Sequence, residues 1–200
     1  MRGHRRLTQH PPPNILRRMA KESPFVELAK QVAAKTLQPP LYVQRGAALL
    51  YQVTVDNQLS LTVDVKHPSR GHSAYQTDLC VFEKKSEDVS IPRVVMEFKT
   101  SISTHDVLTY SAKATKHKQV YPYLRYGIVA SAETTVPGRL FTHNESLDFC
   151  ASVAGLTDEK LATFFAELLI AEVESSRRLE TIAFGSVKAR LFRTEIILQP

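Results

Sequence analysis

The sequence has no tryptophan, only two cysteines, and no run of 18 or more apolar residues. A transmembrane helix needs about 20 consecutive apolar residues, so a membrane span is not expected. Cys80 and Cys150 stand far apart and in no metal-ligand spacing. Neither a disulfide framework nor a zinc site is therefore expected, and this sparse usage suits a reducing, cytoplasmic setting. His67, His72 and His105 show no zinc-type spacing with those cysteines either. The chain also lacks G-x-x-x-x-G-K-[ST], G-x-G-x-x-G and G-x-S-x-G stretches, which removes support for nucleotide-driven, dinucleotide-dependent and esterase chemistry. No apolar segment follows the basic start, so a secretory signal is not expected.

Acid is missing from residues 1–21, which carry Arg2, Arg5, Arg6, Arg17, Arg18 and Lys21. The rest of the chain holds 20 basic and 20 acidic groups, so this arm accounts for the whole net charge of +6. Such an arm either neutralises nucleic-acid phosphates, with Arg5 and Arg6 as candidate contacts, or is a solvated leader. With prolines at 11–13, one continuous helix is not expected there.

What is present suits a globular protein. The 200 residues are 43% hydrophobic and 23% charged, enough to bury a core without staples. The expected organisation is a basic arm over 1–22 and one domain over 23–200. Ser23 and Pro24 read as the cap and first position of a helix through FVELAKQVAAK, which Pro39-Pro40 ends. LYVQRGAALLYQVTVDNQLSLTVDV reads as strands with a turn at Asp56-Asn57. AYQTDLCVF and RVVMEFKT read as a hairpin, and Ser103-x-x-Asp106 as a capping box opening a helix to about Tyr121. YLRYGIVAS is a nearly all-apolar strand, of the kind buried in parallel pairing. Thr157 caps a long amphipathic helix ending near Arg177-Arg178, and SVKARLFRTEIIL reads as a terminal strand. This order predicts an α/β (α+β) fold, a mixed sheet flanked by helices with a right-handed crossover.

Within VVMEFKT, residues 94–100, alternation sends Glu97 and Lys99 to one face and Met96 and Phe98 to the other. In an antiparallel hairpin Asp78 then lies at the same end as Glu97 and Lys99. Clustered carboxylates repel and take up a proton unless a cation is bound. A hard divalent ion answers that repulsion, and a neighbouring lysine can orient water or stabilise charge on a phosphate. These residue types point to metal-assisted attack on a phosphodiester.

Asp78, eighteen residues, then Glu97-Phe98-Lys99 resembles the motif of the PD-(D/E)XK nuclease superfamily, which has the restriction-endonuclease-like fold. The resemblance covers residues 25–131, with Thr77 in place of the proline before the aspartate. It implies an Mg2+-dependent or Mn2+-dependent endodeoxyribonuclease acting on DNA, as a homodimer or as a subunit of a larger complex. Asp78 and Glu97 would hold the metal with the Phe98 carbonyl, and Lys99 would activate or position the attacking water. The family's acid from the first helix maps to Glu27, and its polar residue from the crossover helix to Gln119 or Lys116. Lys113, Lys116, His117 and Lys118 make that helix basic, either a solvated face or a grip on a DNA backbone. PGRLFTHNESLDF, with Arg139, His143 and Asp148, loosely resembles restriction-enzyme-like chains; structural roles are expected for His143 and Asp148. The competing expectation is a non-catalytic DNA-binding or assembly module with a degenerate nuclease fold.

Overall fold

The computed structural model describes residues 22–71 and 73–197; Arg5 and Arg6 lie outside that range. Helix α1 (Glu22–Thr36) is followed by strands β1 (Leu41–Arg45), β2 (Ala48–Leu50), β3 (Ala74–Gln76), β4 (Leu79–Lys84) and β5 (Ser90–Lys99). Then come α2 (Thr104–Val120), β6 (Arg125–Ala130), α3 (Gly138–His143), β7 (Phe149–Ser152) and α4 (Asp158–Phe184). Five strands form a mixed sheet in the order β1-β4-β5-β6-β7, and β2 and β3 form a separate two-stranded ribbon. The β1, β4 and β5 pairings are antiparallel, whereas β6 lies parallel to β5 and β7 parallel to β6. The mixed α/β architecture is thus as the sequence predicts.

The sheet is buried on both faces. On one face Val94, Met96 and Phe98 of β5 pack with Phe25, Val26, Ala29 and Val32 of α1 and with Leu161, Phe165 and Leu169 of α4. Those helix positions recur at three and four residues, which lays one apolar stripe of each helix along the strands. Phe25 meets Phe98 edge to face at 5.3 Å between ring centres. Each such fully buried side chain stabilises the fold by about 1.5–3 kcal/mol. On the other face Val95, Tyr126 and Ile128 pack with Val107, Tyr110 and Ala114 of α2.

Helix α2 starts as its sequence predicts. The Ser103 hydroxyl accepts from the Asp106 N–H at 3.1 Å, and the Asp106 carboxylate accepts from the Ser103 N–H at 2.8 Å. Thr157 caps α4 by accepting from the Lys160 N–H at 3.4 Å.

Four boundaries differ from expectation. Helix α1 begins at Glu22, so Ser23 and Pro24 lie inside its first turn; the N–H that proline lacks would have no helical partner there anyway. The predicted strand AYQTDLCVF breaks at Thr77-Asp78, because Thr77 turns its N–H and hydroxyl onto the Ala47 carbonyl at 2.9 and 3.0 Å. Beyond β2 the expected strands are a long loop, in which only the Val55–Leu61 bridge remains, around a turn where Asp56 accepts the N–H groups of Gln58 and Ser60. Helix α4 runs past Arg177-Arg178 to Phe184, and residues 186–197 are not a strand. Their alternation fits a half-buried sheet surface, but Leu191, Phe192 and Ile197 meet no such surface and stay exposed.

Candidate active site

The β4–β5 register pairs Leu79 with Met96, which sets Asp78 across from Glu97 at the open end of the hairpin. Strand alternation does the rest: Met96 and Phe98 enter the α1–α4 core, and Glu97 and Lys99 face the α2 side. Phe98 serves both sides, since its ring packs on Phe25 while its backbone N–H donates to Asp78 Oδ2 at 2.9 Å. That bond fixes the aspartate against the strand end.

Glu97 is only 2% exposed. The Tyr126 hydroxyl donates to its Oε1 at 2.5 Å. Burial and the neighbouring Asp78 charge together push the Glu97 carboxyl up to about 7 from its ordinary 4.5. The Tyr126 bond and the Lys113 charge act in the opposite direction without overcoming them. Near neutral pH Glu97 is therefore partly protonated, because burial and a like charge beside it both disfavour its ionised form. Tyr126 itself is held well above its usual phenol range, by burial first and then by Glu97.

The lysines approach from the helix side. Lys99 Nζ lies 5.4 Å and Lys113 Nζ 4.8 Å from the centre of the Tyr110 ring, so one ring gathers both cations beside the carboxylates. Burial, then Glu97, raises the Tyr110 phenol, while Lys99 lowers it. Of the predicted crossover-helix residues, Lys113 is thus brought to the site, whereas Lys116 and Gln119 are exposed on other parts of the helix surface. His117, one position from Lys116, is buried and bonds the Leu50 carbonyl through Nδ1 at 2.8 Å.

Glu27 sits on the helix that covers the opposite sheet face from Glu97. Its carboxylate meets Arg45 at 3.7 Å and Lys30 at 4.0 Å. Because Arg45 pairs in register with Leu79, Glu27 lies at the Asp78 end of the sheet. Asp148 has a structural place: it accepts from Arg125 at 2.8 Å and the Tyr126 N–H at 2.7 Å, and pairs with Lys118 at 2.7 Å, joining β6 to α2. Arg139 and His143 are exposed on α3.

Two adjacent carboxylates, one of them raised by its neighbour's charge, are a donor set that suits a hard divalent cation, which offsets their repulsion. Among the described residues no group of three or more His, Cys, Asp and Glu side chains gathers as a complete cage. Mg2+ commonly binds through one or two carboxylates plus waters and substrate phosphates, so the pair fits that ion. Sequence reading missed Tyr126 and Tyr110. The only signal for Tyr126 was parity: it shares the face of Val95 once β6 is known to pair with β5 in that register. No protein-family model matches the chain, and comparison with curated proteins finds no relative. Among the described residues, no helix is long and apolar enough to cross a membrane.

Proposed function

We propose that this chain is a metal-dependent deoxyribonuclease of the restriction-endonuclease-like fold, hydrolysing phosphodiester bonds in DNA. The observation that carries the reading is Asp78 and Glu97 side by side across the hairpin, with Lys99 projecting from the same face. Asp78, clamped by the Phe98 N–H, and Glu97, clamped by Tyr126, present the carboxylate oxygens that would hold Mg2+ or Mn2+. The ion, when bound, supplies charge stabilisation at the phosphate and a more acidic water. Lys99 positions the attacking water and stabilises negative charge growing on the phosphorus oxygens. Lys113 adds a second cation at the same end, where a DNA backbone phosphate needs neutralising. Glu27 assists from the helix at the Asp78 end of the sheet, and the basic arm with Arg5 and Arg6 holds flanking DNA.

Incubating plasmid DNA with the protein and Mg2+, against an EDTA control, tests the reading; strand breaks appear only with the metal, and Asp78→Ala abolishes them. Equal cutting by that variant would overturn the site assignment. The near-complete enclosure of Glu97 by Tyr126 favours one second reading, a degenerate DNA-binding or assembly module in which the pair is a relic. Tight DNA binding with no cutting under any divalent metal would select it.

A further inference from the structure

From the acidic pair outward, lysines and tyrosines alternate toward solvent. Tyr110 holds Lys99 and Lys113, and Lys113 lies 5.8 Å from the centre of the Tyr75 ring. Tyr75 in turn stacks on Tyr51, with ring centres 4.1 Å apart and planes 19° from parallel. Tyr75 lies in β3 of the small ribbon, opposite Leu49, and Tyr51 directly follows β2, its N–H donating to the Ser73 carbonyl at 2.8 Å. His117 braces Tyr75 from the protein side, edge to face at 5.8 Å, and is itself tied to the ribbon through Leu50. The pair is thus held rigidly, yet Tyr75 is 37% exposed and Tyr51 is only half-buried.

Stacked tyrosines at solvent, with ammonium groups on one side and an acidic pair beyond, form a base-stacking surface next to a phosphate-binding one. We propose that Tyr51 and Tyr75 are a stacking platform for an unpaired base, and that the substrate class is DNA with a single-stranded segment beside the scissile phosphate. The inference rests on the nuclease reading above for the cutting, though not for the binding. A base inside an intact duplex already has both faces stacked and offers none to a protein ring. An unpaired base offers one, and each such contact is worth about 1–3 kcal/mol, independent of sequence. Lys113 bridges Tyr75 of the platform and Tyr110, which also carries Lys99, so these ammonium groups meet the backbone phosphates that follow the stacked nucleotide.

The test measures binding of the full chain in EDTA, where cutting is silent, by fluorescence anisotropy. The probes are a labelled oligo-dT, a blunt duplex of the same length, and a duplex with a single-stranded tail. The expected order is tighter binding of the single-stranded and tailed probes than of the blunt one. Tyr51→Leu, which keeps apolar bulk, weakens the first two by about tenfold, and Tyr51→Phe does not. With the unaltered protein, a 2-aminopurine base in the tail loses fluorescence on binding, which checks stacking even if the leucine variant folds poorly. Equal affinity for all three probes, no effect of Tyr51→Leu in a folded variant, or an unquenched 2-aminopurine overturns the platform. Tighter binding of oligo-U than of oligo-dT moves the surface to RNA and overturns the DNA assignment. If Tyr51-dependent binding persists while no metal supports cutting, the nuclease reading fails and the platform stands; cutting of blunt duplex without dependence on Tyr51 gives the reverse.

Discussion

The two ends of the β4–β5 hairpin treat a buried carboxylate in opposite ways. Toward the turn, Glu83 is 8% exposed, and at the open end Glu97 is 2% exposed. Glu83 accepts from Arg93 Nε at 2.6 Å and from Arg177 at 3.2 Å, with Lys85 at 3.7 Å. The fully buried Arg93 also reaches Glu180 at 2.5 Å, so α4 is tied to the hairpin by a matched set of charges. Burial works to raise the Glu83 carboxyl, but the Arg177 and Arg93 bonds outweigh it and leave it lowered. Glu97 faces Asp78 and is raised to about 7. One end is arranged for cohesion. The other sets two carboxylates side by side with one raised by the other, a cost in stability that the paired charges of the first end avoid and that makes this end the candidate site.

Breaking the cohesive end gives the largest effect. Arg93→Ala takes the main cation from the buried Glu83 and from the partly exposed Glu180, and loss of one member of a buried pair costs about 3–5 kcal/mol. Urea titration of the purified variant reads that loss directly. An unchanged midpoint would remove the distinction between the two ends. Lys99→Ala, at the other end, is expected to slow the proposed Mg2+-dependent cleavage by about 10²–10³-fold, the usual cost of removing one transition-state donor, while the urea midpoint barely moves. A parallel fall in both quantities would make Lys99 a structural residue.

The next pair sharpens the comparison through pH. Between about 4.5 and about 7 the folded protein holds a proton on Glu97 that the unfolded chain has released. Stability therefore falls as pH rises through that window, by on the order of 3 kcal/mol in metal-free protein. Glu97→Gln should stabilise the protein at about pH 8, with the gain fading below about pH 5. Glu83 carries the opposite sign, because its folded carboxyl is lowered. Its contribution is complete above the ordinary carboxylate range and is lost in acid. Glu83→Gln should thus cost about 1–3 kcal/mol at neutral pH and less as pH drops. Denaturation curves of both variants across pH should diverge in opposite directions from the parent; parallel curves would refute the assignment of Glu97 as the raised group.

Much of this was legible in residues 74–131. Parity alone places Met96 and Phe98 opposite Glu97 and Lys99, and a hairpin of that length brings Asp78 to Glu97. The Ser103 box, the crossover and the Thr157 cap are local signals, and local signals survive folding. Tyr126, Tyr110 and the position of Lys113 depend on how β6 and α2 register against β5, and no short stretch encodes that. The break at Thr77 has neither glycine nor proline to announce it, because it is imposed by the distant Ala47 carbonyl. Residues 186–197 show the converse failure: a strand pattern with no sheet surface beneath it does not form a strand.

Tyr126→Phe is the smallest and most local change. The phenol donates to Glu97 and favours the ionised carboxylate. Its loss should move the Glu97 titration above about 7 and weaken retention of a divalent ion, since the ion competes with a more tightly held proton. A hydrogen bond to a charged group is worth about 1.5–3 kcal/mol, or about one to two pH units, and its removal leaves the ring packing intact. Carbon-detected NMR of the Glu97 carboxyl in the parent and the variant measures the shift. An upward move with an unchanged urea midpoint would show that Tyr126 tunes the acidic pair, whereas an unmoved titration with lowered stability would return it to the core.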